Sequence, residues 1–168
     1  DLGHTGVRYR RLYLSEGVFL GGTDTAHKLD DYEEGSFNVT FTGSSSGSFT
    51  FTGGGQYTKI GRICTLAVSI QNVTFGSYAG NLQFGLPFTS ASGNVYFGGD
   101  SYYYPQANWD NVTNFIGFTP KTPESSSIGT FQLKTLEGNR QAVLTNSNTN
   151  TSGQGGLYTR FSLTYATN

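Results

Sequence analysis

One stretch of the 168-residue chain gathers side chains able to grip a polyhydroxylated molecule: Ser101-Tyr102-Tyr103-Tyr104-Pro105-Gln106-Ala107-Asn108-Trp109-Asp110-Asn111. It holds three tyrosines and the chain's one tryptophan beside three amides and a carboxylate. Aromatic faces stack on the C–H patches of sugars, while amides and carboxylates exchange hydrogen bonds with sugar hydroxyls. Tyr102, Tyr104, Gln106, Asn108, Trp109, Asp110 and Asn111 are therefore the candidate glycan-binding set. In a strand Tyr103 points away from the face that Tyr102 and Tyr104 share, so at least one of the three rings is expected in a core. The same rings would also suit a core or a subunit interface. A second candidate is the loop Asn146-Ser147-Asn148-Thr149-Asn150-Thr151-Ser152-Gly153-Gln154-Gly155-Gly156, whose amides suit hydroxyl-rich ligands and whose place between strands suits recognition.

Other chemistries find little support. The acidic run Asp30, Asp31, Tyr32, Glu33, Glu34 could in principle hold a hard cation, but its spacing does not match an EF-hand loop. Pairing of these carboxylates with Arg8, Arg10, Arg11 or Lys28 is the simpler expectation. His4 and His27 are too few for a metal site or a general base, so no metal is expected. A glycoside hydrolase needs two facing carboxylates. Beyond the acidic run the acidic residues are Asp100, Asp110, Glu124 and Glu137, and nothing in their spacing pairs them. No Ser/His/Asp arrangement, phosphate loop or zinc motif is present, so no catalytic residues and no cofactor are expected. A formal net charge of -1 argues against a nucleic-acid partner, which needs clustered Lys and Arg. Cys64 is alone; it sits in an apolar run and reads as a buried, inert thiol.

The elements that must carry these side chains are strands. With 24 glycines, 13 phenylalanines, 11 tyrosines and no methionine, the composition favours strands and tight turns over helices. Phe37, Val39 and Phe41 alternate, as do Phe49 and Phe51. Gly53-Gly54-Gly55 reads as a turn leading to Gln56–Ile60. In Arg62–Phe75, Cys64, Leu66, Val68 and Ile70 share one face against Thr65, Ala67, Ser69 and Gln71. Further strand signals follow around Leu82–Leu86, Val95–Phe97, Tyr102–Tyr104, Phe115–Phe118, Ile128–Leu136, Ala142–Leu144 and Leu157–Tyr165. Strands at about ten-residue spacing with Gly, Asn and Ser turns predict an all-β, antiparallel β-sandwich, with a jelly roll as one form of it.

Residues 1–28 differ. Val7–Leu14 and Gly17–Gly22 suggest two very short strands, which cannot bury their own apolar side chains. Leu12, Leu14, Val18, Phe19 and Leu20 therefore call for a partner surface, and identical copies of the chain supply it most simply. The chain divides into a short-stranded trimerisation or stalk segment with its acidic joint, 1–35, and a sandwich head, 36–168. Between Arg62 and Lys121 only Asp100 and Asp110 are charged, which suits a surface covered by a neighbour or presented as uncharged polar groups.

Several phrases resemble the C-terminal region of tail fibres of tailed bacteriophages, particularly marine and cyanobacterial ones. They are Asp1-Leu2-Gly3, Arg8 through Gly22, Lys28-Leu29-Asp30-Asp31-Tyr32-Glu33-Glu34-Gly35, Tyr57-Thr58-Lys59-Ile60-Gly61-Arg62 and Gly85-Leu86-Pro87-Phe88-Thr89-Ser90. The likeness is dense over 1–35 and 57–90 and diffuse elsewhere. Tyr9 stands where Trp is common, and Glu16 where Gly is. The resemblance implies a homotrimeric fibre tip on the distal tail fibre of the virion, made in the host cytoplasm. Its partners would be two further copies of itself, other tail proteins upstream of residue 1, and a host-surface glycan or lipopolysaccharide bound during adsorption. Two other roles fit the same phrases: a purely structural trimerisation or capping module, and a polysaccharide-cleaving tailspike domain.

Overall fold

The computed structural model describes residues 5, 6, 8–73, 79–93, 97–103, 115–135, 142, 143 and 157–168. Within them the chain is all-β, and the one helical turn is a three-residue 3₁₀ segment, Thr25–His27. Two short strands, β1 (Val18–Phe19) and β2 (Lys28–Leu29), pair antiparallel. The 3₁₀ turn between them is capped by the Asp24 side chain, which accepts from the Ala26 amide at 3.1 Å. The remaining strands are β3 (Tyr32–Gly43), β4 (Ser48–Ile60), β5 (Ile63–Val73), β6 (Leu82–Gly85), β7 (Phe97–Tyr103), β8 (Phe115–Thr122), β9 (Ile128–Thr135), β10 (Ala142–Val143) and β11 (Leu157–Ala166).

The strands run β9-β6-β3-β4-β5-β11-β7-β8, all antiparallel, and β8 pairs back onto β9. This closes an eight-stranded barrel, with β10 pairing Gln132 and Leu133 of β9, past the stretch of β9 that β6 holds. Two meanders, β3-β4-β5 and β7-β8-β9, form the two halves. β6 zips one seam, between β3 and β9, and β11 zips the other, between β5 and β7. The expected sandwich is thus corrected to a closed barrel. Alternation with period two is the same in both architectures; closure lies in the long-range β6–β9 and β11–β7 pairings, which give each of the eight barrel strands a neighbour on both sides.

The inward positions are those the alternation marks. Val39, Phe41, Cys64, Leu66, Val68, Ile70, Leu82, Phe84, Phe118, Phe131, Phe161, Leu163 and Tyr165 are buried in one cluster. Phe131 is its centre: its ring meets Phe84 (4.8 Å between centroids), Phe118 (5.1 Å), Phe161 (5.2 Å) and Phe41 (6.4 Å). An eight-stranded barrel is just wide enough to be filled by side chains. Large rings fill it here because glycines give them room. The ring of Phe84 lies where a Cβ on Gly129 would stand, and that of Phe37 where one on Gly55 would stand.

Two local expectations are corrected. Gly53-Gly54-Gly55 is not a turn, since β4 runs through it unbroken. The register with β3 slips there by two residues, from Phe37↔Gly55 to Val39↔Phe51, so the glycines form a β-bulge. Gly53 takes φ +70°, and its amide donates to the Asn38 side chain at 2.9 Å. Among the described residues of Val7–Leu14 no strand forms; Leu12 and Leu14 are exposed and the segment has no neighbouring strand to pair with.

Candidate functional site

The outer face of β4, β5, β11 and β7 is a lattice of small and polar side chains. Pairing brings Glu34, Thr58, Thr65 and Thr164 into one row, and Ser36, Gln56, Ala67, Ser162 and Asp100 into the next. A third row holds Ser69 and Arg160, with Tyr102 opposite Arg160 in the register. Within the first row the hydroxyls of Thr65 and Thr164 are 3.0 Å apart. The inward residues between these rows, such as Leu66, Val68, Phe161 and Leu163, belong to the core, and their burial fixes which side chains the outer face presents.

A groove of about 670 Å³ crosses the second and third rows, lined by Gly53, Gly54, Gln56, Ala67, Ser69, Asp100, Ser101, Arg160 and Ser162, with Val68 and Phe161 below. It is shallow and open because glycine and alanine stand where longer side chains would fill it. A second hollow of about 500 Å³ continues it towards Glu34, Gly35, Thr58 and Thr65, sharing Gln56 and Ala67. On the far side Ser101 is tied down, its hydroxyl donating to the Phe118 carbonyl. The glycine at 99 is required by a close approach, because a Cβ there would overlap the Ser162 carbonyl. Hydroxyls, an amide, one carboxylate and one guanidinium can together bind a polyol at several points.

The acidic joint is built differently from the expectation. Its strand β3 already begins at Tyr32, so Glu33 and Glu34 are barrel residues. Asp30 pairs with Lys28 at 3.2 Å, as one of the expected pairings has it. Asp31 instead pairs with Lys59 of β4, whose side chain turns into the barrel end and also lies 5.6 Å from the Phe88 ring centre. Glu33 accepts from the Tyr57 hydroxyl, and Glu34 accepts from the Tyr32 hydroxyl at 2.7 Å. Each carboxylate pushes its phenol's pKa above the ordinary value. Arg11 donates to the Tyr13 hydroxyl at 3.3 Å, and Arg8 and Arg10 make no ion pair with the joint. Tyr32 is exposed, and Gly35 lies within β3 beneath the Tyr57 ring. Lys59 was the missed residue. It is the lysine of a strand whose neighbours Tyr57 and Ile60 read as apolar, and it falls on the inward phase.

Above the Lys59 end sits the lone thiol. Cys64 is fully buried, and burial pushes its pKa up. Tyr165, opposite it in the register, bridges to the Phe88 backbone: its hydroxyl donates to the carbonyl at 3.0 Å and accepts from the amide at 3.3 Å. Burial, followed by hydrogen bonding to Cys64, drives the Tyr165 pKa far up.

Of the candidate glycan-binding set, Tyr102 lies on β7, opposite Arg160 in the register. Tyr104, Gln106, Asn108, Trp109, Asp110 and Asn111 lie outside the described residues, as does the loop 146–156. In the amino-terminal segment Leu12, Leu14, Phe19 and Leu20 are exposed and Val18 is half-buried. Among the described residues no three His, Cys, Asp or Glu side chains group to hold a metal. Neither family models, curated proteins nor solved structures yield a match to this chain.

Proposed function

We propose that the chain is the tip of a bacteriophage tail fibre: a homotrimer held together through residues 1–35 whose barrel binds a glycan on the host surface during adsorption. The observation that carries the binding half is the polar groove over β4, β5, β11 and β7. A surface groove floored by Gly53, Gly54 and Ala67 and walled by Gln56, Ser69, Asp100, Arg160 and Ser162 offers a hydroxyl-rich ligand hydrogen-bonding groups around an apolar floor, the pairing of surfaces a sugar presents in turn. The Tyr- and Trp-bearing stretch follows Tyr103 in the chain, and its rings are of the kind that stack on sugars.

The trimeric half is supported by apolar side chains that a single chain leaves in water. Tyr9, Leu12, Tyr13, Leu14, Phe19 and Leu20 are all exposed, and Tyr32, Ile60 and Ile63 add an exposed apolar step at the barrel end from which the segment leaves. Exposed apolar groups in this number mark an interaction surface, and closed symmetry satisfies three copies at once. These residues alone also support the purely structural reading, a capping module that makes no receptor contact. The resemblance to tail fibres favours the receptor-binding role.

Two measurements test the proposal. Light scattering on the purified chain is expected to give the mass of a trimer, and a monomer at micromolar concentration removes the assembly half. The trimer is expected to bind host cells and to block phage adsorption. Binding to no host cell or surface polysaccharide leaves only the structural module, whereas release of reducing ends from a polysaccharide would make it a hydrolase.

A further inference from the structure

Resting on the glycan reading, we infer that the groove selects an acidic sugar, a uronate-bearing polysaccharide whose carboxylate is taken by Arg160 while Asp100 and the serines hold the ring hydroxyls. Arg160 is the one cation among the described residues that line the groove. It is exposed, and among the described residues it has no ion-pair partner. Asp100 stands one row away on the adjacent strand, opposite Ser162, at the diagonal spacing of about 7–8 Å expected between such positions. The two charges are neighbours in the lattice, yet they form no salt bridge. Each is left open to the groove.

That arrangement polarises the site. A guanidinium offers a fork of donors that matches a carboxylate with two parallel hydrogen bonds. A carboxylate such as Asp100 accepts from neutral hydroxyls but repels anions. A monoanionic sugar with its acid at one edge and hydroxyls at the other suits both ends in a single orientation. A phosphorylated sugar suits them less well, since its second charge would face Asp100 with no further cation to balance it. Ser69 flanks Arg160 and Ser162 flanks Asp100 in their rows, so each charged end has a hydroxyl beside it. Gln56, opposite Ala67, closes the side away from β7.

The test is an array of bacterial surface polysaccharides that contain uronic acids, each spotted beside its carboxyl-reduced, neutral form and probed with the full chain. The expected result is binding to one or more acidic polymers that falls about tenfold or more on the reduced partner, the size of one charge-assisted contact. Arg160→Gln should lose the same factor on the acidic form and little on the reduced form, with an unchanged unfolding midpoint. Ala67→Trp, which fills the groove floor from an exposed position, should abolish binding to both. Equal binding to acidic and reduced forms, or wild-type selectivity in Arg160→Gln, overturns the acid preference and leaves the glycan reading standing. Undiminished binding by Ala67→Trp moves the site elsewhere. Binding to no polymer on the array overturns both the inference and the reading it rests on.

Discussion

The barrel and the amino-terminal segment use the same apolar residues with opposite results. Leu163 and Phe131 are 0% and 2% exposed, whereas Leu20 and Phe19 are 59% and 48% exposed. Side-chain chemistry does not distinguish them; the number of neighbouring strands does. Phe131 sits on a strand paired on both sides and meets four other rings across a closed interior. Phe19 sits on a two-residue strand with a single two-residue neighbour and no second layer to pack on. The barrel is complete within one chain, while the segment leaves its apolar side chains in water and, in the proposed trimer, forms part of an interface. Phe131→Ala attacks the first statement most directly. It removes the ring shared by four others and should cost about 3–5 kcal/mol, read as a lower urea midpoint for the barrel. A loss below about 1 kcal/mol would mean that the rings do not form one core.

The boundary between the two regions offers a smaller effect. Lys59 is 7% exposed and held by Asp31, the residue just before the barrel begins. Asp31→Ala leaves an ammonium in a largely closed site and should cost about 2 kcal/mol. Lys59→Met in the same background should recover most of that, because an apolar side chain of similar length needs no partner. If the double variant is as unstable as Asp31→Ala, the joint stabilises the barrel by something other than this pair, and the division between the regions falls elsewhere.

Within the barrel the Tyr165 hydroxyl is a finer probe. Tyr165→Phe removes two hydrogen bonds to the Phe88 backbone and keeps the ring, a loss of about 1 kcal/mol at neutral pH. Its pKa in the fold is raised from the ordinary value of 10.0, with burial the largest cause. The unfolded chain therefore gives up this proton first, and the contribution is full below pH 10 and is lost as pH rises beyond it. Denaturation followed from pH 8 to 11 should show the wild type losing stability faster than Tyr165→Phe, so that the two curves converge. Parallel curves would place the phenol in water.

How far the sequence revealed all this depends on whether a feature is local. The faces of β5 and β11 were legible residue by residue, since Cys64, Leu66, Val68 and Ile70 and then Phe161, Leu163 and Tyr165 alternate without interruption and all are buried. Closure was not legible. It lies in pairings such as Gln83↔Thr130 and Phe161↔Ser101, which bring together residues that share no local signal. The triple glycine misled because a bulge and a turn ask for the same residue. The groove was hidden for a related reason: the Gln56 and Ala67 hairpin meets Asp100 and Ser162 from strands much later in the chain, and each alone is an ordinary surface residue. Lys59 shows the remaining failure. A charged residue on an inward phase reads as a break in the pattern until its partner, 28 positions earlier, is seen beside it.

The smallest expected effect on the barrel is also the sharpest test of the contrast. Leu12→Ser, Leu14→Ser and Leu20→Ser together remove three exposed leucines that touch none of the core cluster. Substitutions at exposed sites usually move stability by no more than about 0.5 kcal/mol, so the barrel's unfolding midpoint at high dilution should stay where it is. Assembly should respond in the opposite way. Burying a leucine is worth about 1.5–3 kcal/mol, and three copies of each face one axis in the proposed trimer, so light scattering should report monomers. An unchanged mass would show that the segment does not join the copies. A barrel that loses stability while still monomeric would show that these leucines pack within their own chain. Only a folded, monomeric barrel fits a molecule whose head is complete in one chain and whose stalk is complete in three.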